Sequence, residues 1–269
     1  MTKNKEYLDF AIKIAMFAKE TMRKYYIQDG ISSYKGDRTI VTLADKTINS
    51  YLIQRVKETY PDHSVDGEEE KFGNSRYVWV CDPVDGTAMY ARHVPVAVFS
   101  LALCVDGDSI VGVVMDPFND DLYTAIKGEG AYKNGVKIHV NDYNLDDMRA
   151  IVNNDMWQTA GFNTFNLMQK LKYRTYTVSI GSAIHGGICV ADGEFVVSIF
   201  PGTVTKNCDA AAIKVIVEEA GGKVTDFYGN SQRYDRPING CIFSNGVIHE
   251  EILKLLHEDF ELNPNALKE

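Results

Sequence analysis

The sequence predicts a mixed architecture: an α+β half over residues 1–141, then an alternating α/β half over residues 142–269. Three observations carry this expectation. Apolar residues recur at helical spacing between Tyr7 and Pro61, β-prone runs separated by turn pairs fill Tyr77 to Ile138, and helix and strand patterns alternate beyond the polar stretch Asn141–Asp147.

Leu8, Ile12, Ala15, Met16, Ala18 and Met22 fall near helical spacing and predict an amphipathic helix over Tyr7–Tyr26. Thr42-x-x-Asp45 predicts a capping box ahead of Ile48, Tyr51, Leu52, Ile53 and Val56, with Pro61 closing the helix. Tyr77–Cys81 reads as an apolar strand that stops at Pro83, which cannot donate to a sheet ladder. Asp82-Pro83 then favours a type I turn, which brings positions 82 and 85 within about 7 Å. Val96–Val105 and Ile110–Met115 flank Asp106-Gly107-Asp108, and Asn134-Gly135 separates Ala131-Tyr132 from Val136–Ile138, so antiparallel hairpins are expected. Lys127-Gly128-Glu129-Gly130 lacks the third glycine of a dinucleotide fingerprint and reads as a hairpin turn. In the second half, Tyr176–Ile180, the segment Gly181–Gly187, Glu194–Ile199, a helix over Asp209–Ala220, and Lys223-Val224 after Gly221-Gly222 alternate in type.

With 269 residues, 45% of them hydrophobic, the chain is long enough for a large buried core. A net charge of −9 with no block of Lys and Arg argues against nonspecific nucleic-acid or anionic-membrane binding. Cys81, Cys104, Cys189, Cys208 and Cys241 are odd in number and form no C-x-x-C pair, so reduced thiols are expected rather than disulfides or zinc. The charged N-terminus lacks a signal-peptide core, and the longest apolar run, Val94–Val105, is too short to span a bilayer. A soluble cytoplasmic protein is the expectation.

The densest chemistry lies in Asp82-Pro83-Val84-Asp85-Gly86-Thr87. Two carboxylates about 4 Å apart repel by roughly 4 kcal/mol at an effective dielectric of 20, which a cation would remove. Oxygen-only donors favour a hard ion such as Mg²⁺ or Ca²⁺. Gly86 frees the backbone so that the amides of Gly86 and Thr87 can turn toward an anion. Glu68 or Glu69, in a loop just before the strand, can complete a cation's shell, although taken alone a solvated charge run explains them better. Asp209 opens a helix and needs no role beyond capping it; Asp45 completes a capping box, or accepts a hydrogen bond from Thr87 and helps deprotonate a water. Ser182 and His185 lie close together but lack the G-x-S-x-G elbow of a nucleophilic serine.

Together, Gly67-Glu68-Glu69, Trp79-Val-Cys-Asp82-Pro-Val-Asp85-Gly86-Thr87 and Asp209-Ala-Ala-Ala, ending in Glu219-Ala-Gly-Gly222, resemble the inositol monophosphatase family of Mg²⁺-dependent, lithium-sensitive phosphatases. Val41-Thr42-x-x-Asp45 and Gly128-x-Gly130-Ala-Tyr-x-Asn-Gly135 follow the same order, so the resemblance covers nearly the whole chain. It implies a layered αβαβα sugar-phosphatase-like fold, with the active site between the two halves and a homodimeric assembly. Implied metal ligands are Glu68, Asp82, the Val84 carbonyl, Asp85 and Asp209, holding two or three Mg²⁺ ions. Gly86 and Thr87 would hold phosphate, Asp45 and Thr87 would orient water beside Glu68, and Gly181-Ser182-Ala183 would touch the substrate's alcohol portion together with Asp85.

The expected reaction is hydrolysis of a small phosphate monoester by metal-activated water, the partner being a small phosphorylated metabolite. Where inositol-specific members carry an acid, this chain has Gly202; Met89 and Cys208 also depart from the family pattern. A sugar bisphosphate, histidinol phosphate or 3′-phosphoadenosine nucleotide is therefore an alternative substrate, with Lys206 a candidate for a second phosphate. A noncatalytic, metal-responsive binding or regulatory protein is the rival reading.

Overall fold

The helical periodicity at the N-terminus becomes α1 (Lys3–Ile27), which buries Tyr7, Phe10, Ala11, Ile14, Ala15, Ala18 and Met22 along one face. The computed structural model describes residues 2–27, 31–34, 40–156, 160–202, 208–236, 238–258 and 261–262. After α1 come β1 (Ile31–Tyr34), β2 (Ile40–Thr42), α2 (Leu43–Thr59), β3 (Ser64–Gly67), β4 (Lys71–Phe72), β5 (Tyr77–Asp85), α3 (Thr87–Tyr90), β6 (Val98–Val105), β7 (Asp108–Asp116), β8 (Asp121–Ile126), β9 (Gly130–Lys133) and β10 (Val136–Lys137). The second half continues with β11 (Ile151–Asn154), β12 (Phe162–Asn163), α4 (Phe165–Leu171), β13 (Tyr176–Val178), α5 (Ala183–Ala191), β14 (Val197–Phe200), α6 (Cys208–Glu219), β15 (Lys223–Thr225), β16 (Cys241–Ser244), α7 (His249–His257) and β17 (Glu261–Leu262).

Two large sheets organise the chain. The first has eight strands in the order β10-β9-β8-β7-β6-β5-β3-β4, antiparallel except where β3 runs parallel to β5. The second has five, in the order β13-β11-β14-β16-β15, with β11 parallel to both β13 and β14. One face of the first sheet packs Trp79, Phe99, Leu101 and Leu103 against α1 and α2. Its other face packs Val80, Val98 and Ala102 against α5 and α6, which meet Phe200, Cys241 and Phe243 of the second sheet. The far face of that sheet, through Val197, Ile199 and Ile242, is covered by α4 and α7. The layers are thus helix, sheet, helix, sheet, helix, the αβαβα arrangement expected.

The expected hairpins form. Asp106 (φ 50°) with Gly107 (φ 81°) and Asn134 (φ 50°) with Gly135 (φ 80°) supply the paired left-handed residues that match the twist of two-residue hairpins. The polar stretch at 141–147 is fastened rather than loose: Asn141 donates to the carbonyls of Gly193 and Phe195 and accepts from Asn245.

Several elements differ from expectation. The strand bearing Asp82 does not stop at Pro83 but runs to Asp85. Asp82 pairs with Ser100 and Asp85 with Val98, so three steps on β5 oppose two on β6. That one-residue bulge accommodates Pro83, and it turns Asp82 and Asp85 onto the same sheet face, which a regular strand would not do. The expected type I turn is therefore replaced by a bulge. The strand expected over Tyr176–Ile180 ends at Val178, and the one expected from Glu194 starts at Val197. Gly181–Gly187 leads into α5, whose glycines let the helix approach its neighbours: a Cβ on Gly186 would strike Asn153 and Ser198, and one on Gly187 would strike Ile213.

Candidate active site

The site is assembled at the end of β5. Because β3 runs parallel to β5 with Gly67 opposite Cys81, the ladder continues as the Glu68 amide donates to the Cys81 carbonyl at 3.0 Å. Glu68 therefore emerges beside Asp82. The loop that follows is organised by Asn49, a fully buried side chain on α2, which donates to the Glu70 carbonyl (3.0 Å) and accepts from the amides of Glu69 (3.3 Å) and Glu70 (3.4 Å). Gly67 is required there, since a Cβ would strike Asn49 and lie 2.7 Å from the Glu70 carbonyl. Sequence reasoning missed Asn49. The only signal was one amide set among the apolar positions of a helix.

Asp45, in the first turn of α2, brings its carboxylate into this loop. Ligand-capable oxygens of Asp45, Glu68 and Glu69 all lie within 4.8 Å of one another. Asp45 Oδ2 accepts the Thr42 backbone N–H (2.7 Å) and the Thr42 hydroxyl (2.5 Å), while Oδ1 is buried without a partner. Burial pushes the Asp45 carboxyl up to about 7, with the charges of Glu68 and Glu69 acting in the same direction against the Thr42 hydrogen bonds. The Thr87 hydroxyl gives its one proton to the Val84 carbonyl at 2.8 Å. The expected hydrogen bond from Thr87 to Asp45 is therefore not made; Thr42 takes that role within the capping box.

Asp82 and Asp85 are both buried, on the sheet face that carries Val80, Val98 and the middle helices. Asp82 Oδ1 accepts the Val84 amide at 3.0 Å, which holds the bulge in shape. Asp85 Oδ2 accepts the Ser182 hydroxyl and the Ile184 amide (2.9 Å), both from the start of α5. Gly86, at φ 84°, opens α3; a Cβ there would lie 3.1 Å from the Gly181 carbonyl. The Gly86-Thr87 turn and the Gly181-Ser182-Ala183 segment thus face one another directly. Met89, one of the departures from the family pattern, packs on Gly181, where a Cβ would sit 2.8 Å from its methyl carbon.

Gly202 adopts φ 60°, and a Cβ there would lie 3.3 Å from the Gly240 Cα. An acidic side chain at this position would be strained as well as crowded, so the departure is built into the backbone. Asp209 belongs to the first turn of α6, but its side chain, like that of Cys208 and all of Lys206, lies outside the described residues.

The donors fit a hard divalent cation: they are all oxygens, three carboxylates crowd within 4.8 Å, and one of them keeps a buried oxygen with no partner. Like charges at that spacing repel by roughly 3 to 4 kcal/mol per pair at an effective dielectric of 20, so the cluster favours an added positive charge. Nucleophilic alternatives fit poorly. Burial drives the thiols of Cys81, Cys104 and Cys241 upward and that of Cys189 up to about 12. Ser182 meets the backbone amide of His185 and not its ring, whose Nδ1 pairs with the Val96 carbonyl at 2.8 Å.

A layered αβαβα fold with an acidic, oxygen-only cluster and a Gly-Thr turn suits the class of proteins that set a hard cation against an anionic ligand. The profile of the inositol monophosphatase family matches residues 3–261. A fructose-1,6-bisphosphatase/inositol-1-monophosphatase of Thermotoga maritima is 31% identical over 259 residues, covering 94% of this chain and 97% of that protein. The Nus factor SuhB of Escherichia coli is 31% identical over 235 residues, covering 82% and 85%. Among solved structures, an IMPase/NADP phosphatase complexed with Mg²⁺ and phosphate superposes with a TM-score of 0.82 at 25% identity, covering 96% of this chain and 97% of that one. The chain belongs to the inositol monophosphatase family.

Proposed function

We infer that this protein hydrolyses a small phosphate monoester with Mg²⁺, by direct attack of water and without a phosphoenzyme. The observation that carries the reading is the crowded Asp45–Glu68–Glu69 cluster with its unpartnered buried Asp45 oxygen, next to the bulge that aims Asp82 and Asp85 one way. Glu68, Asp82, the Val84 carbonyl, Asp85 and Asp209 would hold two or three ions. When bound, these ions supply an acidified water and neutralise charge on the phosphate and on the departing alkoxide. Gly86 and Thr87 hold the phosphate through their backbone amides, the Thr87 hydroxyl being committed to the Val84 carbonyl. Asp45, whose Oδ1 still lacks a donor, accepts from the attacking water and orients it. Residues 1–141 supply these groups, and residues 142–269 supply Asp209 and the face that meets the alcohol.

The left-handed Gly202 and the apolar Met89 turn the alcohol side away from inositol specificity. The bisphosphatase name of the Thermotoga relative supports a sugar bisphosphate as the first alternative, with histidinol phosphate and a 3′-phosphoadenosine nucleotide after it, and Lys206 as partner for a second phosphate. A cytoplasmic homodimer completes the reading: Cys81, Cys104, Cys189 and Cys241 are free thiols, and Tyr173 and Tyr176, the latter on edge strand β13, are 84% and 68% exposed. The name of the Escherichia coli relative favours a second reading, a regulatory protein that has kept the fold.

Release of inorganic phosphate from inositol, sugar, histidinol and nucleotide phosphates, with Mg²⁺ alone and with added Li⁺, tests the choice. The expected result is Mg²⁺-dependent release from at least one ester, suppressed by Li⁺. Silence across the panel at saturating Mg²⁺ would support the regulatory reading.

A further inference from the structure

Ser182 was expected to touch the substrate's alcohol portion, yet its hydroxyl's one proton and one of its acceptor sites are committed within the protein. It is 1% exposed, it caps α5 by accepting the His185 amide at 3.1 Å, and it gives its one proton to Asp85 Oδ2. The same carboxylate oxygen also accepts the Ile184 amide at 2.9 Å. We propose that Ser182 is a positioning residue for Asp85: with the Ile184 amide it fixes the plane of that carboxylate, so that the second half of the chain sets the geometry of a cation ligand carried by the first.

Two donors converging on Oδ2 restrict rotation of the carboxylate. A carboxylate that must be ordered when a cation arrives carries that ordering cost in its affinity, whereas one held in advance does not. The surrounding contacts fix α5 against the β5–β6 region as a body. A Cβ on Gly86 would lie 3.1 Å from the Gly181 carbonyl, Met89 packs on Gly181, and the His185 ring reaches the Val96 carbonyl at 2.8 Å. Ser182 therefore acts through Asp85 on metal affinity and not on the alcohol.

The proposal rests on the reading of Asp85 as a metal ligand, so the experiment separates the two. Glycine serves helix N-caps nearly as well as serine, so Ser182→Gly removes the donated proton with little loss of the cap. Calorimetric titration of the substrate-free protein with Mg²⁺ is expected to show binding weakened about five- to tenfold in Ser182→Gly and restored to within about twofold in Ser182→Thr. At saturating Mg²⁺ the KM for a hydrolysed ester is expected to stay within about twofold of the parent. Asp85→Asn is the reference and should weaken Mg²⁺ binding at least as much as Ser182→Gly. Unchanged Mg²⁺ binding in Ser182→Gly with a raised KM would make Ser182 a substrate contact, and a lowered melting temperature alone would make it only a cap; either overturns the proposal while leaving Asp85 as a ligand. Unchanged Mg²⁺ binding in Asp85→Asn would overturn the ligand reading, and the Ser182 role with it.

Discussion

Single residues around the acid cluster divide into those that present charge and those that hold the presenters still. Asn49 is of the second kind, since its amide spans the loop bearing Glu69 and Glu70. Asn49→Leu would leave the Glu70 carbonyl and two amides without that partner, and a loss of roughly 1 to 3 kcal/mol is expected in urea denaturation. A raised Mg²⁺ requirement should accompany it, and a variant with parental Mg²⁺ dependence would show that the loop is held by other means. Asp209→Asn tests the proposed ligand in the first turn of α6: the isosteric change removes at most about 1 kcal/mol of attraction to the helix N-terminus, so the melting temperature should nearly hold while turnover falls by at least roughly a hundredfold. Near-parental turnover would remove Asp209 from the metal site. At this scale Asp45, Glu68 and Glu69, whose carboxylates the structure gathers, and Asp82 and Asp85, which it turns onto one sheet face, were legible as candidates by residue type and spacing. Asn49, the left-handed Gly202 and the commitment of the Thr87 proton to Val84 were not, since each depends on what a distant segment places opposite.

Among the elements, α1, α2 and the Asp106-Gly107 and Asn134-Gly135 hairpins follow from local pattern, in which apolar periodicity or turn chemistry coincides with the final structure. The β5 bulge does not, because a bulge is a relation between two strands and β5 alone carries only the hint of Pro83. Helix α5 was obscured by Gly186 and Gly187, which weaken helix propensity but permit close contact with β11, β14 and α6. Helix α7 is docked through His249 at its start, a fully buried ring between the hydroxyls of Thr225 (2.9 Å) and Ser244 (2.7 Å). Burial lowers this imidazole to about 4, against about 6.5 in an unfolded chain. Between those values the unfolded chain binds a proton that the folded one refuses, so stability is whole above about pH 6.5 and is lost as pH falls toward 4, by up to roughly 3 kcal/mol. Urea midpoints of the parent and His249→Gln, measured from pH 7.5 to 4.5, should converge as the pH drops. Parallel curves would mean that the ring does not titrate as its burial dictates.

For the whole molecule, the five layers explain how segments distant in sequence meet at Asp85. The middle helices pack on both sheets, so α5 delivers Ser182 and Ile184 to Asp85, and α6 begins at Cys208 with Asp209 in its first turn. A sequence of alternating helices and strands indicates this class of architecture, but not the parallel pairing of β3 with β5 that delivers Glu68 to the end of the strand bearing Asp82. No described helix is long and apolar enough to cross a membrane. The central claim is that carboxylates drawn from both halves grip one set of divalent cations. Crystals grown with Mn²⁺ in place of Mg²⁺ and measured at the manganese absorption edge test it most directly. Anomalous peaks are expected within coordinating distance of Glu68, Asp82, Asp85 and Asp209 together, and a map in which saturating Mn²⁺ leaves those four side chains without a shared peak would rule the joint site out.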